Sequence, residues 1–175
     1  LDNLALILRD QSRLTEAEAA VREALEIHKK LPSGVHPDLA NTLQYLGSVL
    51  QRQQRFGEAE SVYREALAMI TGLYGEDSPY TENSISGLSV VLARQGKKVE
   101  MQELYQRDLE KGARRFSKDD PRVTAKLQAY AGALWRSGLL PEAESLYREE
   151  VVSLRKRLGN EHLDVAKELN WLGMV

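Results

Sequence analysis

The three histidines, His28, His36 and His162, are the side chains best suited to acid–base or metal chemistry in this sequence. A catalytic pair or a metal site needs its members within a few ångströms of each other. His36 and His162 hold the same place in copies of a repeat that lie three repeats apart, which predicts tens of ångströms between them at roughly 10 Å per layer of helices. The chain has no cysteine, and it has no glycine-rich phosphate loop or nucleophile elbow. We therefore predict no enzyme, no metal site and no cofactor, and local turn hydrogen bonding for His36 and His162.

Three regularly spaced arginines could bind carboxylates. Arg52, Arg94 and Arg136 follow one another at intervals of 42 residues, and we call them the arginine ladder. Guanidinium groups match carboxylates in a bidentate geometry. The ladder therefore predicts an acidic peptide as ligand. The alternative is that each arginine belongs to the solvated last turn of a helix, so the interpretation depends on the elements that carry the three side chains.

The whole sequence repeats with a period of 42 residues, without insertion or deletion. One leucine column, one column of small residues and one bulky column recur at this spacing: Leu8, Leu50, Leu92 and Leu134; Ala5, Gly47, Ser89, Ala131 and Gly173; Val21, Tyr63, Tyr105 and Tyr147. The period predicts units 37–78, 79–120 and 121–162, with partial units 1–36 and 163–175, in a single array spanning 1–175. Both ends cut a helix, and we expect a fragment of a longer array.

Each unit predicts two antiparallel helices, which we call helix A and helix B. Leu39, Leu43, Leu46 and Leu50 lie on one face of a helix with 3.6 residues per turn. Polar residues follow, and the apolar residues between 56 and 70 lie on one face of a second helix. Pro37, Pro79 and Pro121 open helix A at a position where a missing amide hydrogen costs nothing. Thr15 and Glu18 have the spacing of a capping box for the first helix B. One such hairpin cannot bury its own apolar face, so the copies must stack.

Two carboxylates break the pattern of small residues where helix B meets the next repeat. Asp108 and Glu150 stand where Ala24 and Ala66 stand in the earlier units. A buried carboxylate is costly unless it is paired or tilted to water. We therefore predict that these two junctions pack less tightly than the first.

At this point the residues resemble the tetratricopeptide repeat. The second unit supplies its signature in register, with Leu43, Leu46–Gly47, Leu50, Ala59, Tyr63 and Ala66. The 42-residue length and the stretches "GVHPDLANTLQYLG" and "GNEHLDVAKELNWLG" are similar to the kinesin light chain and nephrocystin-3 type. The resemblance covers the whole chain. It implies an all-α, right-handed superhelical solenoid of antiparallel helix hairpins and a non-catalytic scaffold for protein binding.

The resemblance also implies a concave groove lined by helix A. Trp135 and Tyr45 would be apolar anchors in it. The clamp that grips carboxylate tails is not expected, because the places that need Lys and Arg hold Asn83 and Gly87, or Ala125 and Ala129. The groove residues read off by register are Asn41, Gln44, Tyr45, Ser48, Arg52, Asn83, Ser86, Val90, Arg94, Gln128, Gly132, Trp135, Arg136, Lys167, Asn170 and Trp171.

Composition limits the partners. The 24 basic and 26 acidic residues give a formal net charge of −2, which provides no field to attract nucleic acid or an anionic membrane. No apolar run approaches the length of a membrane span, and the lack of cysteine fits a reducing compartment, so a cytoplasmic location is predicted. The leading hypothesis is a scaffold that binds a peptide or partner segment, with an acidic segment as one option. The alternatives are a structural or self-associating segment and, more weakly, single-stranded RNA binding.

Overall fold

The described part of the chain is helical. The computed structural model describes residues 7–30, 37–117 and 120–173, and no strand occurs in these ranges. Residues 7–10 are helical. The helices that follow are α1 (Leu14–Lys29), α2 (Pro37–Arg52), α3 (Phe56–Tyr74), α4 (Pro79–Arg94), α5 (Lys98–Arg115), α6 (Pro121–Arg136), α7 (Leu140–Leu158) and α8 (Leu163–Leu172). The prediction of an all-α repeat fold is confirmed, and helices A and B alternate as the period requires.

The chain divides into two compact units, Leu1–Lys97 and Lys98–Val175. In the first unit α1 packs on α2, α2 on α3, and α3 on α4. In the second unit α5 packs on α6, α6 on α7, and α7 on α8. The boundary separates α4 from α5, which the period assigns to one repeat. The single array spanning 1–175 therefore stays a prediction.

Helices α2, α4 and α6 begin at the three prolines, and α4, α6 and α8 are each capped by the residue before the helix. Ser78 Oγ accepts a hydrogen bond from the amide of Tyr80 at 3.3 Å, and Asp120 Oδ1 accepts one from the amide of Arg122 at 2.9 Å. His162 Nδ1 does the same with the amide of Asp164 at 3.2 Å. A side-chain acceptor here satisfies one of the free amides of the first turn. His162 thus makes the local turn bond predicted for it, whereas His36 lies outside the described residues.

The turn between helix A and helix B uses a left-handed residue in every described repeat. The φ angles are 61° at Ser12, 62° at Gln54, 76° at Gly96 and 72° at Gly138. The capping box predicted from Thr15 and Glu18 is wrong. Helix α1 begins at Leu14 after Arg13, with no side-chain cap. Arg13 instead donates two hydrogen bonds, of 2.8 and 2.6 Å, to Glu16. Glu18 contacts residues of the next repeat.

The predicted columns form the core. The side chains of Leu50, Leu92 and Leu134 are each 1% exposed, and the tyrosines of the bulky column are buried. Tyr63 lies between Gly47 of α2 and Gly87 of α4: a Cβ added at these glycines would stand 2.9 and 2.7 Å from its ring. Such distances are too short for any larger residue. The glycines therefore set how closely the helices of the first unit approach each other.

Candidate functional site

The second unit contains a groove between α6 and α8, with α7 as its floor. Its volume is about 640 Å³. Six of the groove residues predicted by register line it, namely Gln128, Gly132, Trp135, Arg136, Lys167 and Trp171. Tyr147, Leu154, Arg157, Asp164 and Glu168 also line it. The helix A register thus locates two walls of the groove, while the floor comes from helix B.

Three aromatic rings meet at one end of this groove. The ring centroids of Trp135 and Trp171 are 5.9 Å apart in an edge-to-face arrangement, and Tyr147 stacks on Trp171 at 6.5 Å with 6° between the planes. Trp171 occupies the repeat position of Gly87, so an indole ring stands where the first unit has a glycine packed against Tyr63. Trp171 remains 43% exposed, which leaves its face available to a partner. The rings provide a preformed apolar contact surface.

Basic side chains surround these rings. A Cβ at Gly132 would stand 3.2 Å from Arg136 Nη1 and 3.8 Å from the Tyr147 hydroxyl. The guanidinium of Arg136 therefore lies across the groove wall, close to Gly132. Lys167 donates to Asp164 Oδ1 at 2.9 Å, and this hydrogen bond lowers the pKa of Asp164. Arg157 comes from the end of α7. The rim thus carries more positive than negative groups.

Two of the groove residues predicted in the first unit, Gln44 and Ser48, form hydrogen bonds within the fold. Gln44 donates to Ser84 Oγ, which ties α2 to α4. Ser48 accepts a hydrogen bond from Arg9 at 3.3 Å and donates one to the carbonyl of Tyr45 at 2.9 Å. Burial raises the pKa of Tyr63 to about 12, although the positive charge of Arg9 acts to lower it. Residues 9 and 63 were not in the predicted set.

The other predicted residues differ in exposure. Asn41, Tyr45, Ser86 and Val90 are half-buried, whereas Arg52, Asn83, Arg94 and Asn170 are exposed. Each member of the arginine ladder lies in the last turn of its helix. There a cation meets the negative end of the helix dipole. This position is the one that the solvated-helix-end interpretation requires, and the binding role of the ladder stays a prediction.

The junctions between repeats form a second ordered set of contacts. We call junction pair the residue of helix B and the residue of the next helix A that lie 18 positions apart, as Asp108 and Lys126 do. All eight members are buried. In chain order the pairs are Ala24 and Thr42, Ala66 and Ser84, Asp108 and Lys126, and Glu150 and Glu168. The junction chemistry therefore changes from neutral to oppositely charged and then to like-charged.

The third junction pair is a buried ion pair. Lys126 Nζ lies 2.8 Å from Asp108 Oδ1, and the side chains are 1% and 9% exposed. The stem of Lys126 passes over Gly112, where an added Cβ would meet its Cδ at 3.0 Å. The equivalent positions hold His28, Ile70 and Leu154. Asp108, predicted to be costly unless paired, is thus paired, and Gly112 makes room for its partner.

The fourth junction pair consists of two carboxyl groups. Glu150 is 1% exposed and Glu168 is 4% exposed. Neither oxygen of Glu150, nor Oε2 of Glu168, accepts a hydrogen bond from any residue that the structure describes. Gln128 of α6 donates to Glu168 Oε1 at 2.8 Å. Burial, and then the charge of Glu168, raise the pKa of Glu150 to about 8, and burial also raises the pKa of Glu168.

A cavity of about 440 Å³ lies beside this junction. Its walls come from α5, α6 and α7 and include Leu109, Val123, Leu146 and Glu150. An unfilled apolar volume forfeits packing contacts. The cavity is consistent with the looser packing that the sequence predicts at these junctions.

The first unit instead carries a polar clamp at each of its junctions. Glu18 of α1 accepts hydrogen bonds from Gln53 and Arg55, and Glu60 of α3 accepts them from Gln95 and Lys97 at 2.8 and 2.7 Å. Burial acts to raise the pKa of Glu60, but the hydrogen bonds from Lys97, Gln95 and Arg64 outweigh it and lower this pKa to about 2. The matching positions of the second unit hold Gln102, Ser137 and Leu139, which cannot form the same clamp.

Residues 9, 147 and 168 were missed by sequence reasoning for different reasons. Tyr147 reaches the groove from helix B, which the helix A register does not include. Arg9 holds the helix A position of Trp135, but it lies in the partial first unit, for which no groove residue is predicted. Glu168 is detectable from the sequence, because it lies 18 residues after Glu150, the offset that all junction pairs share. A search for buried columns at a fixed offset would have found it.

Two further findings bear on function. No helix among the described residues is both long and apolar enough to cross a membrane. The described residues also contain no group of three or more His, Asp or Glu side chains placed to hold a metal ion.

Known proteins resemble this chain in sequence pattern and in fold. The family model for the tetratricopeptide repeat matches residues 1–71 and 38–110. No curated protein matches the chain. A crystal structure described as a Podosopora anserina kinesin light chain with nearly identical TPR-like repeats is 21% identical, with a TM-score of 0.74 over 99% of this chain and 82% of that one. The BtubC (BKLC) structure from P. vanneervenii is 21% identical, with a TM-score of 0.68 over 98% of this chain and 68% of that one. At such identities the structural likeness concerns the fold alone.

Proposed function

Since the chain belongs to the tetratricopeptide repeat family, whose repeats commonly serve as scaffolds for protein interactions, we propose that it binds a peptide or partner segment in the groove between α6 and α8. The observation that carries the proposal is the group of Trp135, Tyr147 and Trp171 at the end of this groove. Aromatic anchors of this kind contribute most of the affinity in protein interfaces. No catalytic step is part of the proposal.

An acidic partner segment fits the rim better than a basic one. Arg136 and Arg157 line the groove, and Lys167 is partly neutralised by Asp164. Exposed charge contacts contribute only about 0.2 to 1 kcal/mol each. Affinity would therefore come from the aromatic rings, while the basic rim would select the sign of the ligand.

Peptide titration tests this proposal. Labelled acidic, neutral and basic peptides that share one aromatic residue are titrated against the wild type, Trp135→Ala and Arg136→Glu. We expect the acidic peptide to bind best, to lose affinity as salt screens the charges, and to lose about tenfold or more with either variant. Arg148→Glu is the matched control, since Arg148 is exposed on α7, pairs with Glu144 and does not line the groove. Equal binding of acidic and basic peptides would leave Arg136 as a solvated helix end.

Self-association is the second candidate. Leu163 and Leu169 of α8 are 67% and 39% exposed, and exposed apolar residues of one repeat can pack on another hairpin. Sedimentation over a range of concentrations separates this candidate from peptide binding. A monomer at all concentrations would remove it. The cytoplasmic location predicted from the cysteine-free sequence stays a prediction.

A further inference from the structure

The fourth junction contains two buried carboxyl groups that the proposed peptide binding does not require. Its two carboxyl groups occupy positions that hold small neutral residues in the first unit and an ion pair at the third junction. We propose that Glu150 and Glu168 share one proton, and that this proton docks α8 on α7 and so completes the groove. The docking step depends only on the junction itself, whereas its effect on a ligand rests on the proposed function.

The burial of the pair requires the proton. Two carboxylates that are only 1% and 4% exposed cannot both be charged at low cost. The cost of burying a charge would fall on the oxygens that have no hydrogen-bond donor, which are both oxygens of Glu150 and Oε2 of Glu168. With one proton between them, the contact becomes a hydrogen bond from a carboxylic acid to a carboxylate. Gln128 then satisfies the outer oxygen of Glu168 from the other side.

The surrounding charges do not replace the proton. On α7, Arg157 favours the charged form of Glu150, while Tyr147 is a neighbour whose own pKa burial raises. On α8, Lys167 favours the charged form of Glu168 and Asp164 opposes it. On α6, Gln128 contributes a neutral amide, and Arg136 acts on Tyr147. The side chains facing the pair thus supply one neutral donor and charges that act in opposite directions.

The groove depends on this junction because Glu168 and Trp171 belong to the same helix. Both line the groove, and they lie one turn apart on the same face of α8. When the shared proton is lost, two like charges remain in a buried site. Displacement of α8 relieves their repulsion, and it also moves Trp171 away from Trp135 and Tyr147.

Tryptophan fluorescence reads the docking directly, because the chain has only 2 tryptophans and both lie in this groove. Emission is recorded from pH 6 to 9.5 for the wild type, Glu150→Gln and Glu168→Gln, with circular dichroism to confirm folding. We expect the wild-type emission to shift to the red as the pH rises toward the pKa of Glu150, about 8. The docked-to-undocked ratio should fall by up to about tenfold per pH unit between the ordinary glutamate pKa of about 4.3 and the docked value of about 8, and level off above it. Both glutamine variants should stay docked throughout.

Glu144→Gln is the matched control, because Glu144 is an exposed carboxylate on α7 that pairs with Arg148. It should keep the wild-type transition. A wild-type emission that stays flat from pH 6 to 9.5, or a transition that persists unchanged in Glu150→Gln, would overturn the shared proton.

A ligand arm separates this inference from the proposed function. The acidic peptide is titrated at pH 6.5 and at pH 9 against the wild type and Glu150→Gln. The wild type should bind about tenfold more weakly at pH 9, and the variant should bind equally at both. A fluorescence transition without peptide binding would support the shared proton and contradict the proposed binding groove. Peptide binding without a transition would do the reverse.

Discussion

Lys126 shows that one charged residue at a repeat junction requires a set of compensating residues. Its ammonium is buried against Asp108, and its stem occupies the space over Gly112. The preceding junction solves the same packing problem with Ala66, Ile70 and Ser84. A buried ion pair contributes little net stability, but breaking it leaves an unpaired charge in the interior. The three positions should therefore be exchangeable only as a group.

The prediction is that Asp108→Ala alone costs about 3 to 5 kcal/mol of unfolding free energy, because Lys126 is left without its carboxylate. The triple variant Asp108→Ala, Gly112→Ile and Lys126→Ser copies the preceding junction and should recover most of the loss. Urea unfolding at neutral pH measures both. If the single variant is as stable as the wild type, Lys126 reaches water and the junction is not the closed contact described above.

At the scale of elements, the sequence predicted the helices well because each boundary has a local cause. Prolines at 37, 79 and 121 open helix A, and the leucine columns predict which faces are buried. The capping box failed because Glu18 has stronger partners in the next repeat, namely Gln53 and Arg55. Such contacts between repeats are not visible in any single helix. The floor of the groove was missed for the same reason, since Tyr147 belongs to a helix whose own pattern marks it only as core.

The polar clamp of Glu60 predicts an acid-dependent loss of stability in the first unit. Its pKa is about 2 in the folded chain and near the ordinary glutamate value of about 4.3 when unfolded. Stability from this clamp is therefore complete above about pH 4.3 and is lost as the pH falls toward 2. Urea unfolding of the wild type and Glu60→Gln should differ by about 1 to 3 kcal/mol at pH 6 and converge near pH 2.

Glu65→Gln serves as the control for this measurement, because Glu65 is an exposed glutamate on the same helix. It should follow the wild type at every pH. A constant difference between Glu60→Gln and the wild type from pH 6 to pH 2 would mean that the clamp does not hold Glu60 in its charged form. The dependence has the opposite sign to that of Glu150, whose raised pKa costs stability as the pH rises.

At the scale of the whole molecule, the two units differ in how their junctions are held. The first has neutral junction pairs closed by the Glu18 and Glu60 clamps, and the second has charged junction pairs beside a cavity. Repeat proteins open in segments when neighbouring repeats couple weakly. The sequence predicted this difference from Asp108 and Glu150, although it could not show that one of them is paired and the other shares its site with a second acid.

Amide hydrogen exchange at pH 7 tests the difference. Protection should be lower in residues 108–150 than in residues 43–67, because opening a junction with a buried ion pair or a buried acid pair exposes less apolar surface to water. Glu150→Gln should raise the protection of α7 and α8 without changing that of α2 and α3. Equal protection of the two segments in the wild type would show that the clamps add no coupling.

The gradual change in the junction pairs has a consequence for how near-identical hairpins find their correct order. A chain made of copies risks joining a hairpin to the wrong neighbour, because every copy presents similar leucine, alanine and tyrosine faces. Lys126 tolerates burial only against Asp108, and against Ala24, Ala66 or Glu150 it would lack either its counter-charge or the gap provided by Gly112. Each junction pair therefore favours the correct neighbour for its hairpin. The order of the hairpins is determined at the few positions where the residues differ from one repeat to the next.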